Sequence, residues 1–309
     1  MPPLVVGEIA LAAVQNILFA VGVGILACGF LLPDDAPDGI APPAAGTRGA
    51  GGVLRWRPCV FAGLALASVL YLCLQTALMS GAAPVDTLAL LPVVLRQSHF
   101  GAAWVLGFAG TLVAAVSGRR PGGGAAIAAT LGAFAYVAAK AASSHAADTG
   151  DFTVREAVHV VHLGATAVWA GSVIVATLML RRRDERPANA AVLARRAVFC
   201  SRLSRLATYA LAAVVMSGLY DVDRNTADSD VPLFDTAYGG VLAMKLAIVA
   251  LALILGGYNR LTYLPRLEAD AATPARRGFE RLLAIEAVAM LGILAIAAVL
   301  GHLPPSGGA

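Results

Sequence analysis

Residues 157–183 read AVHVVHLGATAVWAGSVIVATLMLRRR. The first 24 of them hold no Asp, Glu, Lys or Arg, and the stretch closes on Arg181-Arg182-Arg183. A hydrocarbon core about 30 Å thick is crossed by a helix of about 20 apolar residues, so this segment is long enough to span a bilayer and ends in charges that belong in water. It is one of eight such runs, at about 7–32, 58–80, 99–117, 124–144, 157–180, 203–222, 239–259 and 281–302. The pattern predicts an all-α fold: a polytopic membrane helix bundle with about eight transmembrane helices.

Composition agrees. Of 309 residues, 59% are hydrophobic and 14% charged, and the mean hydropathy is +0.76. Soluble domains carry about 25% charged residues, which excludes an ordinary soluble enzyme, a disordered chain and a disulfide scaffold. The four cysteines sit in or beside apolar runs without CxxC spacing. Residues 1–309 read as a single integral membrane domain. The longest connector, 33–57, is rich in Gly, Pro and Ala and is expected to be a flexible cytoplasmic loop. Residues 87–95 form a shorter stretch, an interfacial helix or a buried loop. Met1–Gly7 has no basic residue, which argues against a secretory signal.

Orientation follows from arginine. The connectors after the first, third, fifth and seventh runs, with their flanks, hold 18 of the 21 arginines. The positive-inside bias places those connectors in the cytoplasm and both termini in the periplasm. The net charge of +4 therefore needs no nucleic-acid partner. The opposite connectors are acidic, with Asp148, Asp151 and Glu156 in one and Asp221, Asp223, Asp228, Asp230 and Asp235 in another.

All five histidines fall at outer ends of spans under this topology. His99 opens the third run, His145 closes the fourth, His159 and His162 open the fifth, and His302 closes the eighth and reads as a tail residue. His159 and His162 are three apart and share a helix face. Imidazoles converging at one depth suit Cu, Zn, Ni or Fe, and the nearby carboxylates would serve as their supporting partners. The expected metal ligands are His99, His145, His159 and His162. Met79, Met216 and Met244, with Cys28, Cys59 and Cys200, would extend a soft-ligand route inward, although each is also ordinary apolar filler. Lys140, Lys245, Glu286 and Glu8 lie within runs, where snorkelling or interhelical pairing is the plain explanation; Lys140 is expected to pair with Asp148 or Glu8. The chain has no GxxxxGK[ST] loop, HExxH or GxSxG motif, so no enzyme is expected.

Several segments resemble the CopD family of bacterial copper-resistance membrane proteins. They are Val161-His162-Leu163 with Trp169-Ala170-Gly171, the run Ser201 to Leu206 leading to Ser217-Gly218-Leu219-Tyr220, and Thr236-Ala237-Tyr238-Gly239-Gly240 with Lys245. Asn259-Arg260, Leu264-Pro265-Arg266, Glu286 and Gly301-His302-Leu303-Pro304-Pro305 continue it, and Ser98-His99-Phe100-Gly101 with Trp104 and Ser144-His145-Ala146 resemble the preceding helices. The resemblance covers about 95–306; residues 1–90 match in hydropathy alone. It implies a bacterial inner-membrane protein of copper transport or copper tolerance, with copper bound by His99, His145 and His162 and passed toward the cytoplasm. His159 joins them by helical spacing. The resemblance also implies a periplasmic CopC-like copper carrier as partner.

The alternative from another class is a b-type haem redox protein, with His145 and His162 as axial ligands. A third is a copper sensor or assembly factor that moves no metal. Colour separates the first two: a copper-binding protein is expected to be isolated without a Soret band, and a bis-His haem spectrum would reverse the reading. Because neutral imidazole is the ligand form, copper affinity measured by titration should fall as pH drops below about 6.5.

Overall fold

The computed structural model describes residues 2–32, 52–81, 84–117, 123–144, 153–181, 190–226, 232–269 and 275–303. These form α1 (Pro3–Leu31), α2 (Arg57–Ser80), α3 (Pro84–Gln97), α4 (His99–Ser117), α5 (Gly123–Ala142), α6 (Val154–Arg181), α7 (Ala190–Thr226), α8 (Ala237–Tyr258), α9 (Leu264–Ala269) and α10 (Ala275–Leu300). A π-helical turn, Asn259–Tyr263, joins α8 to α9. No strand occurs among the described residues. Eight of the helical stretches are long and apolar enough to cross a membrane, one for each apolar run, and the chain is a multi-pass membrane protein. Of the 33–57 connector, only 52–57 is described.

Helix and apolar run part company at the arginine-bearing ends. The sixth run covers 203–222, yet α7 begins at Ala190 and carries Arg195, Arg196, Arg202 and Arg205. Arginine is a good helix former, so the helix continues where hydropathy falls. The 87–95 stretch is the short helix α3. Asp86 in its first turn and Arg96 in its last oppose the helix dipole. At its end Ser98 Oγ accepts from the Gly101 N–H at 2.9 Å and donates to the Val94 carbonyl at 2.7 Å. That turns the chain directly into α4.

The bundle is centred on α1 and α6. The apolar window of α6 is 61% buried, against 17% for the span that contains α8. Helix α1 packs on α2, α6 and α10; α6 packs on α1, α7 and α10; α4 packs on α5 and α2; and α8 packs on α10. Nothing in hydrocarbon drives two apolar helices together as water would, so close backbone approach and interhelical hydrogen bonds hold the bundle together. At the α1–α6 crossing the helices meet backbone to backbone: a Cβ on Gly171 would lie 1.8 Å from the Ala20 carbonyl oxygen, and one on Gly24 would lie 2.2 Å from the Gly171 carbonyl. Gly110 and Gly132 make the same contact between α4 and α5. Polar ties follow. Gln15 Nε2 donates to the Ala67 carbonyl at 3.2 Å, Asn16 Nδ2 to the Leu294 carbonyl at 3.2 Å, and Trp104 Nε1 to the Ser68 carbonyl at 2.9 Å.

Successive spans alternate in direction, so the bundle has two chemically distinct ends. At one, Arg202 donates to the carbonyls that close α1, Leu31 at 3.2 Å and Leu32 at 3.4 Å. Nearby on α7, Ser204 and Thr208 accept from Arg260. At the other lie His99, His159, His162 and His302.

Gly171→Ala sets a methyl against an immovable carbonyl. It should destabilise the bundle by about 1–3 kcal/mol or more, the range for overpacking. Gly164→Ala on the same helix, where a Cβ meets nothing within 4 Å, should be neutral. Thermal melts in detergent monitored by size exclusion compare the two; equal melting would refute the crossing.

Candidate metal centre

Two helices build the site. On α6, His159 and His162 occupy one face, their ring centroids 6.3 Å apart and their planes within 14° of parallel. On α7, Ser217 and Asp221 are four apart and also share a face. The two faces meet in register: His159 Nδ1 lies 2.9 Å from Asp221 Oδ2, and His162 Nδ1 lies 3.1 Å from Ser217 Oγ. Both pairs are partly buried; the His159 and Asp221 side chains are 24% and 15% exposed. Gly218 makes the approach possible, since a Cβ there would stand 3.0 Å from His162 Cε1.

These contacts decide which ring nitrogen carries the proton. A carboxylate only accepts, so His159 donates through Nδ1–H. A serine hydroxyl has one proton, and Ser217 directs it to the Ala213 carbonyl at 2.5 Å. Its oxygen is left to accept, so His162 also donates through Nδ1–H. On this assignment each neutral ring carries its lone pair on Nε2; the Val214 carbonyl also interacts with the His162 ring. Locking one ring nitrogen with a carboxylate or hydroxyl is how proteins aim the other at a metal. Lys245 of α8 and Asp221 both act electrostatically on His162, and Asp221 acts on Lys245 in turn. A cation and an anion thus offset each other beside the two rings.

Of the four expected ligands, the structure brings His159 and His162 together. His99 opens α4, which packs on α2, α3 and α5 and has no substantial contact with α6. His145 lies outside the described residues. Among the described residues no group of three or more His, Cys, Asp or Glu side chains could hold a metal ion. Asp221, read in the sequence as an outer-loop charge, sits on α7 and partners His159. The supporting role expected of Asp148 and Asp151 falls outside the described residues, and Glu156 lies in the first turn of α6.

Other expectations fare differently. Met79, Met216 and Met244 are 57%, 70% and 55% exposed; these three thioethers point out of the bundle and do not line an inward route. Cys28 and Cys200 are buried and Cys59 is exposed. Cys28 donates to the Ser172 carbonyl at 3.6 Å, a packing contact between α1 and α6. Lys140 makes no ion pair among the described residues; Glu8 faces His302 instead, at 3.8 Å, which takes His302 out of the tail. Glu286 is buried on α10 without an ion pair among the described residues, opposite Gly256, where a Cβ would stand 3.2 Å from Glu286 Oε1.

Sequence reasoning missed Ser217, Gly218 and Asp221 as a unit. The signal was present: a hydroxyl and a carboxylate at helical spacing, one helix after two histidines at helical spacing.

Comparison with known proteins gives copper-resistance relatives. The family model for copper resistance protein D matches residues 197–300, and that for the copper resistance protein D-like N-terminal domain matches 3–154. Ser217, Gly218 and Asp221 fall in the first match, and the two histidines of α6 lie between the matches. The chain is 27% identical over 273 residues to copper resistance protein D of Pseudomonas syringae pv. tomato, covering 84% of this chain and 87% of that protein. It is 30% identical over 171 residues to copper transport protein CutJ of Bacillus subtilis strain 168, covering 55% of this chain and 29% of that protein. Thus it spans less than a third of the second relative. No solved structure matches the chain.

Nitrogen NMR of ring-labelled histidine should show both α6 imidazoles as Nδ1–H tautomers at neutral pH. Asp221→Asn should release the His159 ring, and Gly218→Val should displace that of His162. A native Nε2–H tautomer at either ring would contradict the assignment.

Proposed function

The chain belongs to the copper resistance protein D family, and on that premise we propose that it captures copper at the histidine end of the bundle and passes it across the membrane. The observation that carries the reading is the pair of rings side by side on α6, each anchored at Nδ1, His159 by Asp221 and His162 by Ser217. Imidazole ligands suit copper, and the family names supply copper where the ligand chemistry alone would also admit zinc or nickel. His99 and His145 complete the proposed ligand set with His159 and His162. Copper is cargo here, and the protein acts as a carrier, not as an enzyme.

The arginine asymmetry orients the proposal. With the arginine-rich end in the cytoplasm, the chain lies in the bacterial inner membrane, both termini and the histidines face the periplasm, and copper moves inward. The acidic connectors on the histidine side raise local cation concentration. A periplasmic CopC-like carrier would deliver copper to that face.

Copper titration of the purified full chain by competition with a chelating dye tests the site. His159→Ala/His162→Ala should abolish the tight site, and Asp221→Asn should weaken it by about 10- to 100-fold through loss of ring orientation. His145→Ala/His162→Ala tests the wider ligand set. Unchanged affinity in both double variants would remove the mechanism. Copper uptake into proteoliposomes then separates a transporter from a protein that binds without moving metal.

A further inference from the structure

A second titratable cluster stands at the same end of the bundle, on different helices. Glu8 lies five residues into α1 and is 6% exposed. His302 follows α10; its Nε2 lies 3.8 Å from Glu8 Oε2, and its side chain is 17% exposed. His302 Nδ1 donates to the Ala298 carbonyl at 2.7 Å. A carbonyl only accepts, so in the neutral ring Nδ1 carries the proton and Nε2 is the basic nitrogen, and Nε2 faces the carboxylate. From α2, Tyr71 stands close enough to Glu8 to interact with its carboxylate electrostatically. Behind it stands Tyr136 of α5, electrostatically coupled to Tyr71 and in ring contact with Phe19 at 4.8 Å. From Glu8 to Phe19 is eleven residues of helix, about 16 Å, so this line of groups runs from the surface well into the bundle.

Two more buried polar atoms lie on the same helix as Tyr71. On α2, four and five residues beyond Tyr71 toward the histidine end, Gln75 Oε1 and Thr76 Oγ1 are buried with no hydrogen-bond partner among the described residues. Buried oxygens without partners are costly and are natural stations for water or a migrating proton. The helices packed on α1 bring defined groups to this end: α2 brings Tyr71, α5 brings Tyr136 and the half-buried Lys140, and His302 follows α10. The α6 and α7 groups His159, His162, Ser217 and Asp221 are engaged with one another, and Glu156 opens α6.

We propose that Glu8, His302 and Tyr71 form a proton-binding site, separate from the α6 imidazoles, through which the protein exchanges a proton against copper. A proton from water binds His302 Nε2 and transfers to Glu8 Oε2. The imidazolium becomes neutral imidazole and the carboxylate a neutral carboxyl, with no electron moved. His302 is the more exposed partner and receives; Glu8 is the more buried and stores. Tyr71 stands beside the carboxyl and opens the way toward Tyr136. A carboxyl at this depth is expected of a group that works by changing charge, since ionisable residues inside a membrane are expensive to keep. The coupling to copper rests on the copper-transport reading; the proton site itself does not.

Two measurements on the full chain test it, with Glu8→Gln, His302→Asn and Tyr71→Phe as variants of conserved shape. Infrared difference spectra between neutral and acidic pH should show a protonated-carboxyl band that is lost in Glu8→Gln, shifted in Tyr71→Phe and retained in Glu286→Gln. A band unaffected by Glu8→Gln overturns the site. In proteoliposomes holding a trapped pH dye, copper movement by the wild type should carry protons. Glu8→Gln and His302→Asn should reduce the proton signal per copper to that of empty liposomes, while dye-competition copper affinity stays unchanged. Copper movement without protons in the wild type, or an unaltered proton-to-copper ratio in Glu8→Gln, overturns the coupling. A wild type that moves no copper defeats the transport reading and the coupling together, and the infrared band alone then decides whether the site binds the proton.

Discussion

The contact between Gly171 and the Ala20 carbonyl sets the geometry of everything around it. Helices that can draw on no hydrophobic effect against lipid must gain their association from dispersion and polar ties, and both fall off steeply with distance. With no Cβ at Gly24 or Gly171, α1 and α6 approach until their backbones touch. Cys28 then reaches the Ser172 carbonyl, and α10 packs against both helices. Helix α6 is thereby fixed in the middle of the bundle. The two imidazoles near its start inherit that rigidity, as a site placed on a loop could not.

The same helix divides its labour along its length. Its arginine-side half is a packing surface of small residues, among them Ala167, Ala170, Gly171 and Ser172, all buried. Its other half carries His159 and His162 toward α7, where Ser217 and Asp221 settle their tautomers. Structure and chemistry are separated by about two turns. A residue at 171 can therefore damage stability, and one at 159 or 162 can damage ligation, with little crossing over.

How much of this is legible in the chain depends on the physical term involved. Hydropathy reports transfer into lipid, so the eight spans stand out without any knowledge of packing. It does not report helix formation, which is why the sixth apolar run stops short of the arginine-rich start of α7 and why α3 reads equally well as helix or loop. Spacing on one helix is legible, and the shared face of His159 and His162 follows from it. Pairing between helices is not: nothing in a hydropathy profile says that Asp221 rather than Asp148 or Asp151 supports His159. Nor does it say that His302 returns to Glu8 across almost the whole chain, or that Met216 and Met244 face outward. Those facts depend on which sides of two helices meet, and the meeting is decided by glycines whose role is invisible until the partner is known.

The α1–α6 crossing also bears on how the chain is made. Cys28 and Ser172 are 144 residues apart, and Asn16 finds its acceptor at Leu294, 278 residues away. At the usual pace of about 5–20 residues per second, α1 waits in the bilayer on the order of ten seconds before its central partner leaves the ribosome, and longer for α10. During that interval its glycine-lined groove is open to any passing helix. Biogenesis thus has a vulnerable window, and a slowed ribosome or a truncated message would leave an orphaned first helix for membrane quality control to remove.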